Sequence, residues 1–132
     1  MKKIIALLLL ICTFALCLVS CASMDKYEDN LGTKYEVEKL KKSEIKELAE
    51  DFDLDDDDYD IENALIAEHK NNGYTVCIFE CKSSSKAKEL EKDLEDVMDD
   101  INDYSSTPYY AVRKGKFVFA GNQKAIDNAL GK

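Results

Sequence analysis

The chain has 132 residues, with 18 Lys and Arg against 27 Asp and Glu, for a formal net charge of −9. That length suits one small domain with one core. The acidic balance excludes a nucleic-acid binder, which needs clustered cations against phosphates.

Residues 1–23 read as an address. Lys2 and Lys3 give a positive start, Ile4 to Val19 form an apolar run broken by Thr13, and small residues follow. That is the order of a secretory signal peptide. A membrane-spanning helix fits less well, because 16 residues at about 1.5 Å rise cover roughly 24 Å of a ~30 Å hydrocarbon core.

The run closes on Leu18-Val19-Ser20-Cys21, which resembles the lipobox of bacterial lipoproteins. The resemblance implies that residues 1–20 are a leader cut between Ser20 and Cys21, and that the Cys21 thiol carries diacylglycerol. Cys12 and Cys17 fit poorly, since the bulky Ile11 and Leu16 precede them. The implied location is the extracytoplasmic face of the cell membrane, where two acyl chains hold durably and one does not. Without the leader, residues 21–132 keep 16 cations against 27 acids, or −11. Adhesion to an anionic lipid surface is therefore expected from the anchor alone.

Residues 21–34 are polar and weakly patterned, and contain Gly32, so they read as a lipidated N-terminus and flexible tether. A coil of about 13 residues spans roughly 20 Å. A helix then follows Ser43, with Ile45, Leu48 and Phe52 at helical spacing; Val37 and Leu40 would extend it upstream. Asn72-Gly73 predicts a hairpin joining Ala64–Glu68 to Tyr74–Cys81, and Arg113-Lys114-Gly115 a second one joining Pro108–Val112 to Lys116–Ala120. Between the hairpins, Ala87, Leu90, Leu94, Val97, Met98 and Ile101 form one apolar helical stripe, with Ser83 to Ser85 as caps. A short last helix uses Ala125, Ile126, Ala129 and Leu130 and stops at Gly131.

The expected order is helix, strand, strand, helix, strand, strand, helix: a single α+β domain over 35–132, with a four-stranded antiparallel sheet and helices on one face in two layers. The strand–turn–strand–helix unit occurs twice, as a duplication would leave it. From about residue 43 the layout resembles a family of small lipoproteins of low-GC Gram-positive bacteria, defined only as a domain of unknown function. The likeness lies in the lipobox, the helix from Lys86 and the strand Lys114-Gly115-Lys116-Phe117-Val118-Phe119. It implies location and fold, and no activity.

Seven aspartates fall within Asp51 to Asp60. Hard cations such as Ca²⁺ take several oxygen ligands. The EF-hand spacing would use Asp51, Asp53, Asp55, Asp57 and Glu62, but Asp56 stands where glycine makes the turn and Asp58 where an aliphatic residue enters the core. A solvated acidic loop is the simpler expectation. Cys77 and Cys81, about 13 Å apart if they share a strand, are too far to bridge and read as small core residues. His69 has no positioned nucleophile beside it and reads as a turn residue. Tyr109, Tyr110 and Arg113 would form a binding surface if one sheet face is open, since aromatics and arginine anchor interfaces.

No paired acid–base set, zinc spacing or phosphate loop is visible, so no cofactor and no catalytic residue are assigned. The expected function is a non-enzymatic binding or accessory module anchored to the membrane, acting on a protein partner in the cell envelope through an open sheet face or an edge strand. The alternative is a calcium-binding lipoprotein that uses the aspartate loop.

Overall fold

A computed structural model describes residues 23–132; the expected leader and Cys21 lie outside the described residues. Five strands form one antiparallel sheet: β1 (Tyr35–Lys39), β2 (Ile61–His69), β3 (Thr75–Cys81), β4 (Tyr109–Lys114) and β5 (Phe117–Asn122). Their order across the sheet is β1-β2-β3-β5-β4, which leaves β1 and β4 as edges. Four helices pack against it: α1 (Met24–Leu31), α2 (Lys42–Asp51), α3 (Ser84–Asn102) and α4 (Gln123–Leu130). The α+β class and both hairpins agree with expectation, although the second turn is shorter. Lys114 pairs directly with Phe117, so Gly115 and Lys116 make a two-residue turn with Gly115 at φ 61°.

Two expectations about the layers are corrected. The sheet has five strands, because Val37 belongs to a strand: Tyr35 to Lys39 pair with His69 to Leu65 along the β2 edge. The helices also cover both faces. Leu65, Ala67, Val76, Ile78, Phe117 and Phe119 turn towards α1 and α4. Ala64, Phe79, Cys81, Val118 and Ala120 turn towards α2 and α3. The physical reason lies in the central strands. Phe117 to Ala120 are all buried, and a strand with no polar side has no face to show water.

The tether is corrected too. Met24, Tyr27 and Leu31 fall at helical spacing and are buried, with Tyr27 edge-on to Phe117 and Phe119 at 5.0 and 4.9 Å. The Asn30 amide donates to the Ala129 carbonyl at 2.9 Å, fastening α1 to α4. The folded domain therefore begins at the start of α1 rather than at residue 35.

Helix α2 is capped two residues before the expected Ser43, with Lys41 at the N-cap and its amide donating to the Glu44 carboxylate at 2.7 Å. For α3 the expected cap holds: Ser83 Oγ accepts from the Lys86 amide at 3.2 Å. The two strand–turn–strand–helix units diverge in packing, since α3 covers one face of the sheet and α4 the other.

Candidate functional site

The aspartate segment is mostly turn. Asp51 ends α2, Asp53 and Asp60 take left-handed backbone at φ 61° and 48°, and the Asp55 carboxylate caps a 3-10 turn by accepting from the Asp57 amide at 3.0 Å. Aspartate tolerates left-handed backbone and makes such local caps, so chain geometry already accounts for three of the seven. Of the expected ligands, Asp55 and Asp57 come together: with Asp56 they place carboxylate oxygens within 4.8 Å of one another. Asp51, Asp53 and Glu62 are not part of that group, and Glu62 lies on β2. Behind the loop, Tyr59 is buried and its hydroxyl donates to the Asp93 carboxylate at 2.6 Å, tying the segment to α3.

Tyr109, Tyr110 and Arg113 do not share one surface. Alternation on β4 sends Tyr109 and Arg113 towards α3, where Arg113 Nε lies 3.6 Å from a Glu91 carboxylate oxygen. Tyr110 points to the opposite face and is 42% exposed. The open face expected for them is covered by α1 and α4.

The edge of β4 remains. Asn102 at the end of α3 brackets Tyr109: its amide oxygen accepts from the Tyr109 amide at 2.7 Å, and its nitrogen donates to the Tyr109 carbonyl at 2.9 Å. The backbone groups of Tyr109 thus point away from β5. In an antiparallel ladder alternate residues face the same way, so Ala111 and Arg113 also direct their N–H and C=O outward. Exposed Tyr104 and Tyr110 flank this edge, at 93% and 42%.

Cys77 and Cys81 are free thiols on β3; Cys81 is buried in the core, and Cys77 is half-buried against it. Burial pushes both up to about 12, with Asp60, Glu80 and Glu62 adding to the effect at Cys81. The His69 ring accepts from the Asn71 and Asn72 amides at 3.2 and 3.4 Å, which makes it part of its turn.

Three residues that patterning missed are polar and buried or bracketing. Glu80 is buried in β3, where its carboxylate meets Lys116 Nζ at 2.8 Å and the Asn63 amide at 2.9 Å. With Ser23, Met24, Asp25 and Lys39 it lines a cleft of about 290 Å³ beside the start of α1. Buried Asn122 accepts from the Thr75 amide at 2.8 Å, and Asn102 brackets β4. An acid inside the run Val76 to Cys81 was the available signal for Glu80; nothing local marks the two asparagines.

Among the described residues no helix is long and apolar enough to cross a membrane. Compared with protein-family models, curated proteins and solved structures, the chain matches none.

Proposed function

We propose that residues 21–132 form a lipid-anchored, extracytoplasmic binding or accessory module, held by diacylglyceryl-Cys21 and acting without catalysis on a protein partner in the cell envelope. The anchoring rests on Leu18-Val19-Ser20-Cys21 and the likeness to bacterial lipoproteins. The binding reading rests on the β4 edge, where outward backbone groups run beside Tyr104 and Tyr110. An extended partner segment can add to such an edge through main-chain hydrogen bonds, with the tyrosines supplying contact area.

A photo-crosslinking residue placed at Tyr110 in the membrane-bound protein tests this. A discrete adduct that Tyr104→Ser weakens supports the edge; no adduct, or one indifferent to Tyr104, refutes it. The calcium reading is supported by the convergence of Asp55, Asp56 and Asp57. Heat in a calorimetric titration with millimolar Ca²⁺, lost in Asp55→Asn/Asp57→Asn, would favour it over the solvated turn.

A further inference from the structure

The free edge of β4 is short and its extent is defined. Asn102 occupies the outward backbone groups of Tyr109. Tyr110, Val112 and Lys114 turn theirs towards β5, since Lys114 and Phe117 close the hairpin as a hydrogen-bonded pair. Only Ala111 and Arg113 are left to receive a further strand. If that strand is a second copy of β4, one antiparallel register engages both residues: Ala111 opposite the second copy's Arg113, with Val112 opposite itself. Centring on Ala111 would set Arg113 against the capped Tyr109, and centring on Arg113 would oppose like charges. Each Ala111–Arg113 pair exchanges two main-chain hydrogen bonds, and two-fold symmetry makes two such pairs.

The side chains along this edge are self-complementary. Helix α3 runs antiparallel beside it, from Glu91 at Arg113 to Asn102 at Tyr109. At the hairpin end Lys88, Lys92, Arg113 and Lys114 outnumber Glu91; at the Tyr109 end stand exposed Glu95, Asp99 and Asp103. Asp96 and Asp100 add to that acidic end from further round the helix, and Lys124 at the start of α4 partly offsets it. Glu89 and Asp93 lie on the far side of α3, where they meet Lys86 and Tyr59. A two-fold axis turns one edge end for end, so each cationic end meets an acidic one. The second copy's Arg113 then stands opposite Ala111, beside Glu95. Arg113 is under-used in the single chain: its buried Nε has no hydrogen-bond partner among the described residues, with Glu91 at 3.6 Å. On the other face, exposed Tyr110 falls opposite the second copy's Lys114, and the two half-buried Val112 side chains meet on the axis.

We infer that a second copy of this chain fills the β4 edge, joined at Val112 by a two-fold axis normal to the sheet, so that the two five-stranded sheets become one. This rests on the edge proposed above as the binding surface and names its occupant. An axis normal to the sheet keeps both α1 helices on one face, so that anchors at both N-termini can reach the same bilayer. The net charge of −11 on residues 21–132 opposes association at long range. Physiological salt screens that repulsion beyond about 8 Å, whereas paired strands meet at about 5 Å.

The register makes its own test. On the axis the two Val112 Cα atoms form a non-hydrogen-bonded pair about 4.5 Å apart, within reach of a disulfide. The two Tyr110 positions lie about 13 Å apart, which is too far. Full chains carrying Val112→Cys or Tyr110→Cys are mildly oxidised in membranes and run on a non-reducing gel, with the unaltered chain and its native cysteines as background. Val112→Cys is expected to give a band of twice the mass at about tenfold or more above Tyr110→Cys. Tyr110→Cys co-expressed with Lys114→Cys should recover that band. A Val112→Cys chain that stays single, or equal crosslinking at positions 110 and 112, overturns the self-pairing. The edge itself is judged separately by the photo-crosslinker at Tyr110. An adduct with a different protein, and no Val112→Cys dimer, removes the second copy and leaves the edge standing; no adduct at all removes both.

Discussion

The Glu80 carboxylate and the Lys116 ammonium lie 2.8 Å apart at the end of the sheet where α1 begins, with the two side chains 11% and 26% exposed. Asn63 takes the other carboxylate oxygen at 2.9 Å. Removing one member of such a pair strands the other without a partner, which costs more than the pair itself contributes. Glu80→Ala is expected to lose about 3 kcal/mol in urea denaturation, and Glu80→Ala/Lys116→Met to regain part of it. A double variant no better than the single would show that packing, not charge, sets the cost.

Tyr27 decides whether α1 belongs to the domain. Its ring is 1% exposed and its hydroxyl has no hydrogen-bond partner among the described residues. Burial, and the nearby charge of Glu80, raise the hydroxyl's pKa. Tyr27→Ala should therefore cost about 3–5 kcal/mol. Tyr27→Phe should stabilise by about 1 kcal/mol, because a buried unpaired hydroxyl is removed. Thermal unfolding of both variants checks the pair of signs; a neutral Tyr27→Ala would return α1 to the status of a tether.

The elements with a strong local period were legible in the sequence. The stripe from Ala87 to Ile101 is α3, and Asn72-Gly73 turns β2 into β3. What was missed has weak local signals. Strand β1 is five residues long and alternates Tyr35 and Val37 with Glu36 and Glu38, which reads equally as a ragged helix. Helix α1 has three buried residues in eight, and Gly32 after it resembles a linker glycine. The second covered face was legible in principle, from Phe117 to Ala120. Of the candidate sites, the aspartates were conspicuous by composition, yet their turn roles depend on backbone angles that spacing does not reveal. The β4 edge depends on strand order, which no single segment encodes.

Gly121 sits where β5 crosses β3 closely. A Cβ there would overlap the Thr75 carbonyl oxygen and lie 2.8 Å from Val76 Cα, both backbone atoms that cannot swing aside. Gly121→Ala should cost about 3 kcal/mol and accelerate amide exchange along β3 and β5. Unchanged exchange would mean that the strands part there without penalty.

The thiols set an alkaline limit. Cys77 and Cys81 are raised from 9.0 to about 12 by burial, so the folded state favours their neutral form. Their contribution is complete below the unfolded value near 9 and is lost as pH rises from there towards 12. Urea midpoints should fall across that window, and Cys77→Ala/Cys81→Ala should flatten the decline. The buried Cys81 should also resist a thiol reagent until the protein unfolds. Rapid labelling of Cys81 at neutral pH would contradict its burial.

The proposed location depends on membrane attachment through Cys21. Fractionation of cells expressing the full chain or Cys21→Ala tests it most directly. The full chain is expected to sediment with membranes and to be extracted by detergent, whereas Cys21→Ala loses its lipid and its stable attachment. Cys21→Ala protein that is exported and cut at the leader, yet remains as firmly membrane-bound as the full chain, would contradict it.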